Sequence, residues 1–158
     1  MAKNSFITLI PYFGGKSMYA EWILSFFPPH RTYVEVFGGS AAILLNKPRS
    51  EIEVYNDKDR NMVTFFRVLQ NPEKSKALYR MLKYTPYARD ELKKAGEILK
   101  NPKDYVDIEI AWAVYVVSRM GFGARIYSPT FSYSIAGSSR PETFINSLRN
   151  IILVRDRL

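Results

Sequence analysis

The sequence predicts an α/β fold that opens on a parallel sheet, and three observations carry that prediction. Tyr33-Val34-Glu35-Val36-Phe37 is a short β-rich run that stops at Gly38-Gly39-Ser40. Residues 41–46 are helix formers, ended by Lys47-Pro48. Ile52-Glu53-Val54-Tyr55 is a second β-rich run, closed by Asn56-Asp57. Strand, glycine turn, helix and strand in that order are how a parallel sheet begins.

The remaining elements read as helices. Over residues 59–70, Met62, Val63, Phe65, Phe66 and Leu69 recur at helical spacing until Asn71-Pro72 breaks the pattern. Further helices are predicted over 72–83, 87–99 and 105–120. The last is apolar almost all round, with Ile108, Ile110, Trp112, Val114 and Val117, so it is expected at the buried centre of a helical cluster. Gly121-Phe122-Gly123 ends it. Residues 126–135, rich in Tyr, Phe, Ser and Thr around Pro129, read as a β-hairpin or an ordered loop. Pro141 starts a helix in which Phe144, Leu148, Ile151, Ile152 and Arg155 keep an i, i+4, i+7 rhythm to the last residue. Trp22 and Trp112 both fall on apolar helix faces and are expected in the core.

With 158 residues, 47% of them hydrophobic, the chain can bury one good core. Cysteine is absent, which excludes disulfides, cysteine-based zinc sites and thiol catalysis. The first residues lack the apolar stretch of a signal peptide. The longest apolar run, 108–117, is interrupted by Glu109 and is far short of the ~20 residues a bilayer requires. A soluble, cytoplasmic protein is therefore expected, with no membrane partner. Lys and Arg number 23 against 15 Asp and Glu, a net charge of +8, and the pI near 9.7 favours a polyanionic partner. From Asp104 onward every cation is Arg: Arg119, Arg125, Arg140, Arg149, Arg155 and Arg157. Arginine suits bidentate contacts with phosphate or guanine edges, and packing at the edge of a core is the alternative.

Pro11-Tyr12-Phe13-Gly14-Gly15-Lys16-Ser17 invites comparison with a phosphate-binding loop, but the first glycine of that pattern would fall on Ile10. What remains is a pair of glycines that let the backbone approach a ligand, a flanking aromatic, and a lysine able to meet a carboxylate. Phe37-Gly38-Gly39-Ser40 lies where parallel sheets bind ligands, beyond the carboxyl end of a strand. It lacks G-x-G-x-x-G, so a dinucleotide is not indicated. Asp57 closes the second strand nineteen residues after Gly38, a position from which an acid accepts hydrogen bonds from ribose hydroxyls. Such an Asp also serves as a helix cap, and both roles stand open.

Tyr12-Phe13-Gly14-Gly15-Lys16, then Tyr33 to Ser40, then Asn56-Asp57 before an amphipathic helix together resemble, in order and spacing, the first three motifs of Dam-like DNA adenine N6-methyltransferases. The likeness continues more loosely to the end of the chain. It implies a Rossmann-like S-adenosylmethionine-dependent methyltransferase fold with an incomplete sheet, a helical target-recognition subdomain and a small β-hairpin. It implies that Tyr12, Lys16 and Glu35 border S-adenosylmethionine, that Phe37, Gly38, Gly39 and Ser40 form its glycine loop, and that Asp57 holds its ribose. Residues 105–135 match the target-recognition region, which puts Arg119, Phe122, Gly123 and Arg125 toward double-stranded DNA. The expected division is a cofactor-binding part over 1–71, a DNA-binding subdomain over 72–140, and a return helix over 141–158.

One departure decides what to expect of catalysis. The family's catalytic motif, Asp-Pro-Pro-Tyr, grips the target amino group through its carboxylate and first proline carbonyl, and its aromatic stacks on the flipped adenine. Here the only Pro-Pro is Pro28-Pro29, between Phe27 and His30. Methyl transfer from a sulfonium needs little base, so His30 reads as turn surface, and no catalytic residue or metal is expected. The expectation is a cofactor-binding and DNA-recognition portion of an adenine methyltransferase. Three alternatives stay open: the motif follows Leu158 in a longer protein, a second polypeptide carries it, or the protein is a binding half-domain without catalysis.

Overall fold

The computed structural model of the chain describes residues 6–125, 127, 129–132 and 140–158. Strands β1 (Thr32–Glu35) and β2 (Ile52–Tyr55) pair in parallel, with Val34 opposite Val54 and Glu35 opposite Tyr55. β1 is shorter than its apolar run, because Val36 and Phe37 leave the ladder. Asn56 still ties the two strand segments together beyond it. Its amide donates to the Glu35 carbonyl at 2.9 Å and its side chain to the Val36 carbonyl at 2.7 Å.

A short helix α1 (Ala20–Leu24) precedes the strands, and α2 (Arg60–Gln70), α3 (Pro72–Lys83), α4 (Arg89–Lys100) and α5 (Asp107–Met120) follow them. The starts of α2, α3 and α5 are set by side chains that satisfy free amides. Asp59 accepts from the Asn61 amide, Asn71 accepts from Glu73 and Lys74 with Pro72 at the first helical position, and Glu109 reaches back to the Val106 amide. α5 packs against α2, α3 and α4. Ala111, Ala113, Val114, Tyr115, Val116 and Val117 are wholly buried there, which is why its sequence shows no polar face. Trp112 is buried as expected and donates its indole N–H to Thr85 at 2.8 Å. No helix among the described residues is long and apolar enough to cross a membrane.

Three expectations change on meeting the structure, and a fourth lies partly outside the described residues. Residues 41–46 form successive turns in place of a regular helix. Ala41 takes φ +54, and the Leu44 amide donates to the Glu35 carboxylate at 2.8 Å, which removes it from a helical ladder. Trp22 is 65% exposed and rests edge-on against Phe26, because α1 has only five residues and buries Ala20 alone. The C-terminal helix is divided into α6 (Arg140–Ser147) and α7 (Arg149–Arg157) at Leu148. The Phe144 carbonyl there accepts from the Tyr115 and Ser147 hydroxyls, so the Leu148 amide turns to Ile145 in a tighter bond. Half of the expected hairpin, residues 126, 128 and 133–135, lies outside the described residues. Its described part is an antiparallel bridge between Gly121 and Phe131, flanked by bonds from Phe122 to Thr130 and from Ser132 to Met120.

The end of α7 is held to the sheet by a compact ionic cluster. Lys47, its side chain 1% exposed, donates to Glu53 at 2.6 Å, while Arg157 reaches both oxygens of Glu53 at 2.7 and 2.9 Å. Burial raises the Glu53 carboxyl, but hydrogen bonds from Arg157, Lys47 and the Ser50 amide, with the Arg157 charge, outweigh it and hold the group at about 2.

Candidate cofactor and DNA-facing site

The carboxyl ends of the two parallel strands gather the acids and glycines that the sequence singled out. Glu35 is the last residue of β1 and is buried. One of its oxygens takes the Leu44 amide; the other has no hydrogen-bond partner and stands 3.4 Å from the Lys16 ammonium. Lys16 also donates to the Phe37 carbonyl at 2.7 Å, so the N-terminal loop and the glycine turn are pinned to each other. Asp57 accepts from the Gly39 amide at 2.7 Å and from the Asp59 amide at 2.8 Å, one bond per oxygen. It therefore serves the turn and the entry to α2 together, while each oxygen keeps a lone pair.

Both glycines of the turn are required by their neighbours. The Tyr55 ring fills the space beneath Gly38, where an added Cβ would stand 2.1 Å from a ring carbon, and the Tyr55 hydroxyl donates to the Gly39 carbonyl at 2.8 Å. Gly39 adopts φ +49, a backbone region that favours glycine, with the Tyr12 ring 3.1 Å from where its Cβ would be. Gly38→Ala is expected to cost about 1–3 kcal/mol by overpacking. Thermal melts of the variant should show a midpoint several degrees lower, and an unchanged midpoint would mean that Tyr55 does not support the turn.

The local field is acidic although the chain is basic. Burial raises the Tyr12 hydroxyl above its ordinary value, and the charges of Asp57 and Asp59 add to this. Tyr55 is raised in the same way, first by burial and then by Asp57, Tyr12, Glu35 and Asp59. A site with carboxylate lone pairs, a buried Glu35 oxygen that accepts no hydrogen bond, and glycines in place of side chains suits a ligand that offers hydroxyl donors and positive charge. Phe37 is 81% exposed at the rim, and Ser40 is buried behind Gly15.

The four residues assigned by resemblance to the DNA face lie at the end of α5 and just beyond it. Phe122, Gly123 and Arg125 are exposed. The Arg125 guanidinium lies 5.4 Å over the Phe13 ring. Arg119 is half-buried and donates from Nε to the Leu9 carbonyl at 3.1 Å and from its terminal nitrogen to the carbonyls of Thr8, at 3.2 Å, and Leu9. At the far end of α5, Asp107 pairs with Lys74 and Glu109 holds the Val106 amide. A pocket of about 420 Å³ opens between this junction and the N-terminal loop, lined among others by Tyr12, Arg119, Phe122, Gly123 and Arg140.

Tyr55, Asn56, Asp59 and Tyr127 belong to the site without having been singled out as such. Asp59 is detectable as a capping acid, and Tyr55 follows from Gly38 once the strands are paired. Tyr127 left no sequence signal; burial and a hydrogen bond to Asp59 raise its hydroxyl. His30 is exposed in its turn, with Nδ1 2.8 Å from the Pro28 carbonyl.

A family model described as D12 class N6 adenine-specific DNA methyltransferase matches residues 12–116. No curated protein matches the chain.

Proposed function

We infer, for a chain that belongs to the D12 class N6 adenine-specific DNA methyltransferase family, that it binds S-adenosylmethionine at the carboxyl ends of β1 and β2 and presents a DNA-recognition face beside that site. The observation that carries this reading is the Asp57 carboxylate, which fixes Gly39 and Asp59 at once and keeps a free lone pair on each oxygen. Asp57 takes the ribose hydroxyls, Glu35 and the acidic field favour the cationic end of the cofactor, and Tyr12, Lys16, Phe37, Gly38, Gly39 and Ser40 shape the wall. S-adenosylmethionine, when bound, supplies an activated methyl group on a sulfonium. Phe122, Gly123 and Arg125 contact duplex DNA at the end of α5, where the Arg-only cation content of residues 104–158 supports phosphate and base-edge contacts. On this reading residues 1–71 bind the cofactor, 72–140 recognise DNA, and 141–158 return to the sheet in a Rossmann-like domain.

The same reading makes the chain dependent on further polypeptide for methyl transfer. These 158 residues contain no Asp-Pro-Pro-aromatic sequence. Parallel sheets are ordinarily covered on both faces, yet Val34, Val36, Ile52 and Val54 are exposed. A strand carrying the missing motif, from a longer chain or a second polypeptide, would complete the sheet. Purified alone, the chain is expected to bind S-adenosylmethionine in calorimetry and to leave labelled methyl incorporation into duplex DNA at background. Incorporation above background in a preparation free of other methyltransferases refutes the dependence; absence of cofactor binding refutes the site. The lack of the motif also favours a second reading, a DNA- or cofactor-binding half-domain without catalysis, which predicts binding of both ligands with no activity after completion.

A further inference from the structure

We propose that Arg119 is a positioning residue for the cofactor loop, the link through which the recognition helix α5 holds the segment that carries Tyr12 and Lys16. This rests on the reading that these two residues border S-adenosylmethionine.

The guanidinium sits at the last turn of α5, one residue before its end, and binds the carbonyls of Thr8 and Leu9. Leu9 and Ile10 are wholly buried, so this stretch is anchored on one side by packing and on the other by Arg119. Pro11 follows, fixing φ, and then Tyr12, whose carbonyl accepts from the Gly15 amide at 2.9 Å and whose ring lies against Gly39. Two residues, Ile10 and Pro11, therefore separate the Leu9 carbonyl that Arg119 holds from the ring that packs on the glycine turn. Asn150 also reaches the Thr8 carbonyl, at 3.4 Å, but its single amide group gives a long bond. Arg125, stacked over Phe13, adds a second tether to the same loop.

Arginine is suited to this task. Its planar fork donates to successive carbonyls at once, whereas a lysine ammonium is a point charge that is costlier to desolvate. Burial lowers the Arg119 group from its ordinary value, with the Tyr115 ring beside it acting in the opposite direction. With Nε and one terminal nitrogen committed to Leu9 and Thr8, Arg119 acts on the cofactor through the loop.

The test combines calorimetric titration with S-adenosylmethionine and amide hydrogen exchange on the wild-type chain, Arg119→Ala, Arg119→Lys and Tyr115→Phe. Tyr115→Phe removes the hydroxyl bonded to Phe144 and Ser147 on the same helix, and so controls for general destabilisation. Arg119→Ala is expected to weaken cofactor binding about tenfold, within the usual range for coupled sites, with Arg119→Lys intermediate. Exchange at the Gly15 and Gly39 amides should quicken in the same order while α3 and α4 amides keep their protection. Tyr115→Phe should leave both readouts near wild type at temperatures where it is folded. If Arg119→Ala fails to fold, the ordering of Arg119→Lys against wild type decides. Cofactor affinities within twofold of one another, or exchange that quickens equally in every helix, would overturn the proposal. If wild type binds no S-adenosylmethionine, the cofactor reading fails by itself, and the exchange pattern at Gly15 and Gly39 still decides whether Arg119 positions the loop.

Discussion

Asp57→Ala should weaken S-adenosylmethionine binding by about tenfold to a hundredfold, because charge-assisted bonds to two ribose hydroxyls are lost, at roughly 1–3 kcal/mol in all. The loss has a structural part as well. The Gly39 and Asp59 amides, at 2.7 and 2.8 Å from the carboxylate, are left to water. Asp57→Asn separates the two contributions. Its amide oxygen can serve one main-chain amide, but its NH₂ group faces the other and presents a donor where an acceptor is needed. The asparagine variant should therefore recover much of the stability and little of the affinity. Calorimetry and thermal melts on the same preparations check this, and equal affinity in wild type and both variants would remove Asp57 from the site.

The second large effect concerns stability. Glu53→Gln takes the counter-charge from Lys47, whose side chain is 1% exposed, and from Arg157. Removing one partner of a buried pair costs about 3 kcal/mol because the other charge is left uncompensated. For a chain of this length that lowers the melting midpoint by roughly 6–12 °C. The effect has a pH signature of definite sign. Glu53 is held at about 2 against an ordinary value of 4.5. A depressed carboxyl contributes stability that is fully present above its unfolded value and is lost as pH falls through the folded one. The gap between wild type and Glu53→Gln should be constant near neutrality and close between about pH 4.5 and 2. A gap that stays open at the acid end would show that the cluster is not held by the Glu53 charge.

The helices illustrate what local chemistry writes into a sequence. α3 begins and ends where residues 72–83 were predicted, since Asn71 caps it and Pro72 occupies its first position. α5 is legible from its unbroken apolar composition, and the parallel pair from two β-rich runs separated by a glycine turn. The family was legible too, because its motifs are short, ordered, and built from residue types that the local backbone demands, as at Gly38 and Gly39.

What tertiary structure alone decided are the places where one side chain reaches across the chain to a main-chain group. The Glu35 carboxylate takes the Leu44 amide and turns a predicted helix into successive turns. The Tyr115 hydroxyl takes the Phe144 carbonyl and divides the last helix at Leu148. Trp22 is exposed because α1 is too short to turn it inward. Arg119 was readable as a cation beside a recognition junction, but its direction depends on carbonyls 110 and 111 positions away in the sequence. Periodicity and turn chemistry act over a few residues, so a sequence displays them openly. A hydrogen bond between distant segments has no period, and it exists only once packing has fixed both ends.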